Sequence, residues 1–416
     1  MKTATGFVSR VYQRLLAPVV ASVTQPATDE KNIPQKHTRL QIRIAVSAFF
    51  FCQGISFASW ASRIPDIKYN LQLTDAALGS LLLLLPAGQL SAMPFSGKLV
   101  THFGSKKIMR IFLVLYVLAL TNIGYASSAW QLGLGLYLFG VFGNMANISV
   151  NTQAIGAEKM YGRTIMTSFH GTWSAAGLTG ALIGMLMMSL GVTPHVHFWI
   201  VAGFVICTVM IAQNYLAPGR SASATAEKRR FFSLPNKALA QLGLIGFCSM
   251  ASEGAMFDWS GVYFKQVVHA PNAFVLLGYL GFMATMATGR FLGGNLLTRY
   301  GRKKVLRVSG IMVSTGLLIS VIFPYLLTAS LGFIIVGLGV SSIVPMVYSS
   351  AGKVSNVSPG IALASVSSIS YLGFLMGPPL IGYIAELASL RWSFAVIALA
   401  GFTIALLVSK LKVLND

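Results

Sequence analysis

A short string occurs twice in this chain, GKLVTHFGSKK at 97–107 and GNLLTRYGRKK at 294–304, each following a long apolar run. Gly97, Leu99, Thr101, Gly104, Lys106 and Lys107 recur as Gly294, Leu296, Thr298, Gly301, Lys303 and Lys304, close to half a chain length of 416 residues further on. A self-similarity at that spacing, joined to hydrophobic runs, restricts the fold to two tandem copies of one membrane-embedded unit, an architecture whose halves can rock about a central site.

The chain is 55% hydrophobic and only 10% charged, with a mean hydropathy of +0.71. Such a chain buries most of its surface in lipid. Apolar runs of roughly 18–26 residues predict twelve membrane spans, beginning near Ile44, Ala76, Met109, Trp130, Thr164, Val196, Lys237, Ala273, Arg307, Ala329, Gly360 and Trp392. The fold class expected is therefore an all-α membrane protein of two six-helix parallel repeats. Its parts are a tail at 1–43, a first half at 44–217, a linker at 218–236 rich in Pro, Ser, Ala and charge, a second half at 237–411, and a short tail at 412–416.

A net charge of +21 would suggest nucleic acid in a soluble protein. Its distribution argues otherwise. Arg10, Arg14, Lys36, Arg39 and Arg43 lie in the tail, and Lys106, Lys107, Arg110, Arg163, Lys228 to Arg230, Arg302 to Lys304 and Lys353 lie in the even-to-odd loops, against Arg63, Lys68, Lys265 and Arg391 on the other side. Positive-inside asymmetry predicts that both termini are cytoplasmic and that the charge is topological. Residues 7–23 carry arginine and no acid, the composition of a targeting presequence or of a surface segment; Pro18 interrupts any helix and favours the second. Cys52, Cys207 and Cys248 sit in apolar spans without metal or disulfide spacing. No phosphate-binding loop or constellation for covalent chemistry is present, so the sequence is read as a non-enzyme without a cofactor.

The duplication runs further. GRTIMTSFHGTWSAAGLTGALIG (162–184) aligns with GIALASVSSISYLGFLMGPPLIG (360–382), pairing Trp173 with Tyr371, and Ser59-Trp60 can be laid on Asp258-Trp259. Together with the repeated loop, these strings resemble the major facilitator superfamily, whose signature loop reads roughly G-x-x-x-D-R/K-x-G-R/K-R/K. Both loops here lack its acid, with Thr101 and Thr298 in that place. ASWASR (58–63), FHGTWSAAG (169–177), SEGAMFDW (252–259), GRFLGG (289–294) and SYLGFLMGPPLIGYIAE (370–386) are similar to bacterial inner-membrane transporters near the fucose-permease-like branch. The resemblance covers about residues 40–410. It implies a secondary transporter in a bacterial inner membrane, a monomer working by alternating access on a small-molecule substrate with a proton as coupling ion. Gly97, Gly104, Arg290, Gly294 and Gly301 are then expected to serve gating.

Charge buried at a helix centre costs about 2.5–3.5 kcal/mol on insertion scales, so a buried acid has a partner or a purpose. Of ten acidic residues, Glu253 and Asp258 lie inside a span, the seventh. Glu253 is either a carboxyl placed to exchange a proton during transport or one held by a serine or backbone group to break the helix. Asp258, about 140° further round a straight helix, is the second proton-coupling candidate. Arg63, at the corresponding end of span one, either pairs with it to close the external gate or pairs locally with Asp66. Asn144, Asn147 and Asn151 fall within about 60° on one face of span four, where they serve solute recognition or helix adhesion. Gln53, Trp60, His170, Trp173 and Tyr371 are expected to complete a polar and aromatic cavity, with His170 alternatively a structural hydrogen-bonder. The favoured reading is a proton-coupled carrier of a polar, possibly sugar-like solute. The alternatives are an exporter of amphipathic compounds, since Phe49 to Phe51, Phe57 and Met250 would suit a greasy pocket, and a receptor or scaffold that has lost transport.

Overall fold

The computed structural model describes residues 38–161, 165–216, 237–351 and 359–411. The segment at 7–23, most of the N-terminal tail, the linker at 218–236 and the tail at 412–416 lie outside them. Twelve membrane-length helices account for these residues: α1 (Arg39–Asn70), α2 (Asp75–Phe103), α3 (Ser105–Gly124), α4 (Ala129–Tyr161), α5 (Met166–Ser189), α6 (Pro194–Ala212), α7 (Lys237–Gln266), α8 (Leu277–Tyr300), α9 (Arg302–Ile322), α10 (Leu326–Ala351), α11 (Pro359–Leu387) and α12 (Leu390–Lys410). Eleven of these segments are apolar enough to cross a bilayer by composition alone, and the one that falls short is α7, which carries Glu253 and Asp258.

Local chemistry sets the boundaries. Thr38 and Gln41 form a reciprocal capping box at the start of α1, and the Thr74 hydroxyl caps α2. Glu158, at the end of α4, accepts hydrogen bonds from the backbone N–H groups of Ile165 and Met166, each at 2.8 Å, placing a carboxylate on the start of α5. Two helices break where sequence hydropathy shows a continuous run. The break in α2 is at Leu83 and that in α10 at Ser342. Pro86 and Pro345 follow them, and neither can donate to the carbonyl four residues back, Leu82 and Ser341.

The repeated string also has a physical account. Gly104 and Gly301 are single-residue joints between α2 and α3 and between α8 and α9, with φ of 82° and 76° and ψ of 141° and 157°. That region of backbone space is essentially reserved for glycine. The packing repeats as well: α1 on α5, α2 on α4, α3 on α4 and α3 on α6 are matched by α7 on α11, α8 on α10, α9 on α10 and α9 on α12.

The odd-numbered helices run away from the end of the bundle where α1 and α7 begin, here the terminal face, toward the opposite or far face. At the far face the two sets of six helices close on each other. The Ala76 N–H donates to Glu386, Ser80 and Tyr383 share a hydrogen bond of 2.9 Å, and Lys265 lies 5.5 Å from the centre of the Tyr69 ring. α2 and α11 approach so closely that a Cβ on Gly382 would sit 2.4 Å from the Asp75 carbonyl oxygen. Deeper in, Phe57 of α1 meets Phe257 of α7 edge to face at 5.8 Å, and the Tyr371 hydroxyl donates to Gln89 at 2.8 Å. These hydrogen bonds and ring contacts between the two sets all lie at or above this level.

Candidate functional site

Just at the floor of the closed half, Arg290 of α8 donates to Glu253 of α7 at 2.7 Å. Thirteen residues separate Glu253 from Gln266, the last residue of α7, about 20 Å of helix, so the pair stands near mid-depth. The Glu253 side chain is 11% exposed and that of Arg290 37%: the carboxylate is shut in while the guanidinium keeps an open side. Sequence reasoning offered Glu253 a serine or backbone partner and placed Arg290 among gating residues. The structure instead gives the acid a cation from the neighbouring helix, and α7 runs through Glu253 without a break. His170 on α5 is exposed, with its ring edge to face against Phe50 of α1 at 5.5 Å.

The other expected site residues divide into two groups. Gln53 is buried and its side-chain amide donates to the Gly143 carbonyl at 3.1 Å, tying α1 to α4. Trp60 is fully buried in the core. Neither is presented to a solute, which corrects the expectation that they line the cavity: polar or aromatic type in a span does not fix which way the helix turns it. Asn144 accepts from Ser96 of α2 at 2.6 Å, so it joins helices. Asn147 is exposed and half-buried Asn151 donates to its carbonyl oxygen at 2.8 Å and to its side-chain oxygen at 3.1 Å; these two keep amide atoms open. Trp173, half-buried, lies 6.2 Å from Phe57. Tyr371 is held by Gln89 of α2, a polar residue not among the expected site residues.

Of the two alternatives for Arg63, the structure makes the local pair with Asp66 and not the pair with Asp258. Arg63 is 1% exposed and donates to Asp66 at 2.6 Å, to His197 Nδ1 at 3.1 Å and to the Val192 carbonyl at 2.8 Å. Its geometry is exhausted by α1 and the start of α6, although α1 and α7 do meet at the far face, where a Cβ on Gly261 would lie 2.8 Å from the Pro65 ring. Asp258, half-buried, has no ion-pair partner among the described residues. Gly97 has open space around it, Gly294 lies within α8, and Gly104 and Gly301 are the joints described above.

A membrane-spanning bundle of two repeated six-helix sets, closed at one face around a mid-depth ion pair, defines a membrane carrier rather than an enzyme. The chain belongs to the Major Facilitator Superfamily, whose profile matches residues 44–347 and 277–415. It is 33% identical over 368 residues to an uncharacterized transporter, y4wD, of Sinorhizobium fredii, covering 88% of this chain and 97% of that protein. It is 30% identical over 387 residues to the membrane protein MosC of Rhizobium meliloti, covering 91% and 94%. Among solved structures, a nucleoside transporter, NupG, superimposes with a TM-score of 0.76 at 14% identity, covering 89% of this chain and all of that one. A bacterial homologue of the lysosomal transporter Spinster, inward-facing and occupied, gives 0.71 at 15% identity over 92% and 97%. At those identities the likeness is one of fold. The protein is an integral membrane transporter of a small-molecule substrate.

Proposed function

We propose that this chain is a proton-coupled secondary carrier of a small polar organic solute, working as a single chain by alternating access in a bacterial inner membrane. In this reading the terminal face is cytoplasmic, in keeping with the basic residues clustered there, and the conformation is the inward-facing one. The observation that carries the proposal is the Glu253–Arg290 pair. An acid and a base on two helices, placed where the closed half meets the open half, change partners when a proton or a solute arrives, because neutralising one leaves the other unpaired in a poorly solvated site. Asn147, Asn151, His170 and Trp173 supply hydrogen-bonding and stacking groups suited to hydroxyl-rich or ring-bearing solutes. The resemblance to the fucose-permease-like branch and the fold shared with a nucleoside transporter put sugars and nucleosides first in a test panel.

The test is solute flux in proteoliposomes. Counterflow against that panel identifies the solute; Glu253→Gln then abolishes accumulation driven by a pH gradient and spares equilibrium exchange, because the amide imitates the protonated acid without releasing a proton. Uphill transport retained by the variant removes Glu253 from the coupling. Export of amphipathic compounds is the second reading, favoured by the Phe57, Trp173 and Phe257 cluster and by 28% identity over 252 residues to a multidrug resistance protein, MdtG, of Proteus mirabilis. Counterflow of lipophilic cations with none of sugars or nucleosides would select it, and absence of any counterflow would favour a receptor or scaffold.

A further inference from the structure

The repeated loop is basic without its family acid, and in the second half it stands over a cavity. Between α8 and α9 the outer surface opens into a cleft of about 340 Å³, lined among others by Gly289, Leu296 and Tyr300 of α8, Val308 and Met312 of α9, and Leu338 of α10 as its floor. Leu296 is 39% exposed and Val308 46%, and Ile311 and Leu318 continue an exposed apolar face along α9, so the cleft looks into the bilayer. From Tyr300 to Gly289 is eleven residues of helix, about 16 Å of rise, which is the depth of one leaflet of a hydrocarbon core about 30 Å thick. At its mouth two exposed cations converge on one ring: Arg299 and Lys304 each stand 5.4 Å from the centre of Tyr300. Neither is paired with a carboxylate among the described residues, and the residue standing where the family carries the acid is Thr298.

We propose that this cleft seats one acyl chain of an anionic phospholipid whose phosphate is held by Arg299, Lys304 and the Tyr300 hydroxyl. An apolar slot one leaflet deep fits a chain, and unneutralised cations at its interfacial end fit the phosphate but repel nothing else in the bilayer except cationic groups. Basic pockets between membrane helices at the headgroup level bind anionic lipid on these terms. A soluble phosphate would use the cations and leave the slot empty.

Native mass spectrometry of the full-length protein, released from nanodiscs of equal phosphatidylglycerol and phosphatidylcholine, tests this on the wild type: phosphatidylglycerol is retained preferentially. Each cation near an anionic surface is worth roughly fivefold in affinity, so Arg299→Gln with Lys304→Gln removes that preference, whereas Lys107→Gln, the equivalent position of the first half, leaves it. Val308→Trp, which fills the slot, displaces the lipid while the cations remain. Equal retention of the two lipids by the wild type, an equal loss in Lys107→Gln, or displacement of bound phosphatidylglycerol by glycerol 3-phosphate would each overturn the proposal. The wild-type lipid competition and the glycerol phosphate arm need no variant to fold.

Discussion

At the scale of single residues, the site turns on one contact, Arg290 to Glu253 at 2.7 Å. Removing either partner leaves a charge in a poorly solvated place, and a buried group deprived of its partner costs about 1–3 kcal/mol; removing both leaves no charge to strand. Arg290→Gln is therefore expected to lower the unfolding midpoint more than the double variant Glu253→Gln with Arg290→Gln. The quantity to measure is the interaction energy in a double-mutant cycle of thermal stability in one detergent. Additive losses would mean that the two side chains do not depend on each other and that the pair is incidental to the site. Arg290→Gln strands the shut-in carboxylate, so its loss sits toward the upper end of that range, whereas Glu253→Gln leaves a guanidinium with an open side and sits toward the lower end. The asymmetry also bears on the proposed chemistry, in which the more exposed cation is the member a solute touches and the acid is the member it releases.

At the scale of elements, Arg63 acts within the first six helices. It staples α1 to the start of α6 through His197 and the Val192 carbonyl and folds back on Asp66, so the cycle Arg63→Gln with Asp66→Asn is expected to be non-additive in stability, and Arg63→Gln with Asp258→Asn additive. Coupling in the second cycle, seen in stability or in accessibility of a far-face cysteine, would restore Arg63 and Asp258 as a gate. The contrast shows what a sequence carries and what it leaves out. Hydropathy locates eleven of the helices by composition alone because lipid burial requires about 20 apolar residues in a run, α7 is legible as the apolar run interrupted by Glu253 and Asp258, and the repeat marks Gly104 and Gly301, whose backbone only glycine adopts. A burial argument finds Glu253. None of these fixes helix rotation or packing partner, so Arg290 as the partner of Glu253, Gln89 as the partner of Tyr371, and the inward turn of Gln53 and Trp60 into the core emerge only when α1, α2, α4, α7, α8 and α11 are assembled. The breaks at Leu83 and Ser342 were within reach through Pro86 and Pro345, since an absent donor is a local fact.

At the scale of the whole molecule, one connected apolar core runs through both sets of six helices, while the repeated helix pairs, α1 on α5 and α2 on α4 in one set and α7 on α11 and α8 on α10 in the other, tie each set together, and packed interiors move as bodies rather than stretch. The two sets touch in a seam along α2 and α11 through small or polar residues, Gly79, Ser80, Gly382 and Tyr383, and beside them through apolar contacts, Phe57 with Phe257 and Met188 with Val275 and Leu276. If the halves rock, prising this seam open closes the terminal face. Gly382→Leu drives the wedge, because even a Cβ there meets the Asp75 carbonyl oxygen at 2.4 Å. Spin labels at positions 69 and 265, which adjoin in this conformation, are expected to move apart in that variant by double electron–electron resonance, and labels at 107 and 304, in the two repeated loops, to draw together, with exposed Cys207 replaced by serine throughout. Lengthening of the first distance with the second unchanged would mean that α2 and α11 bend locally at the wedge, and the rocking of two rigid halves about Glu253 and Arg290 would be lost with it.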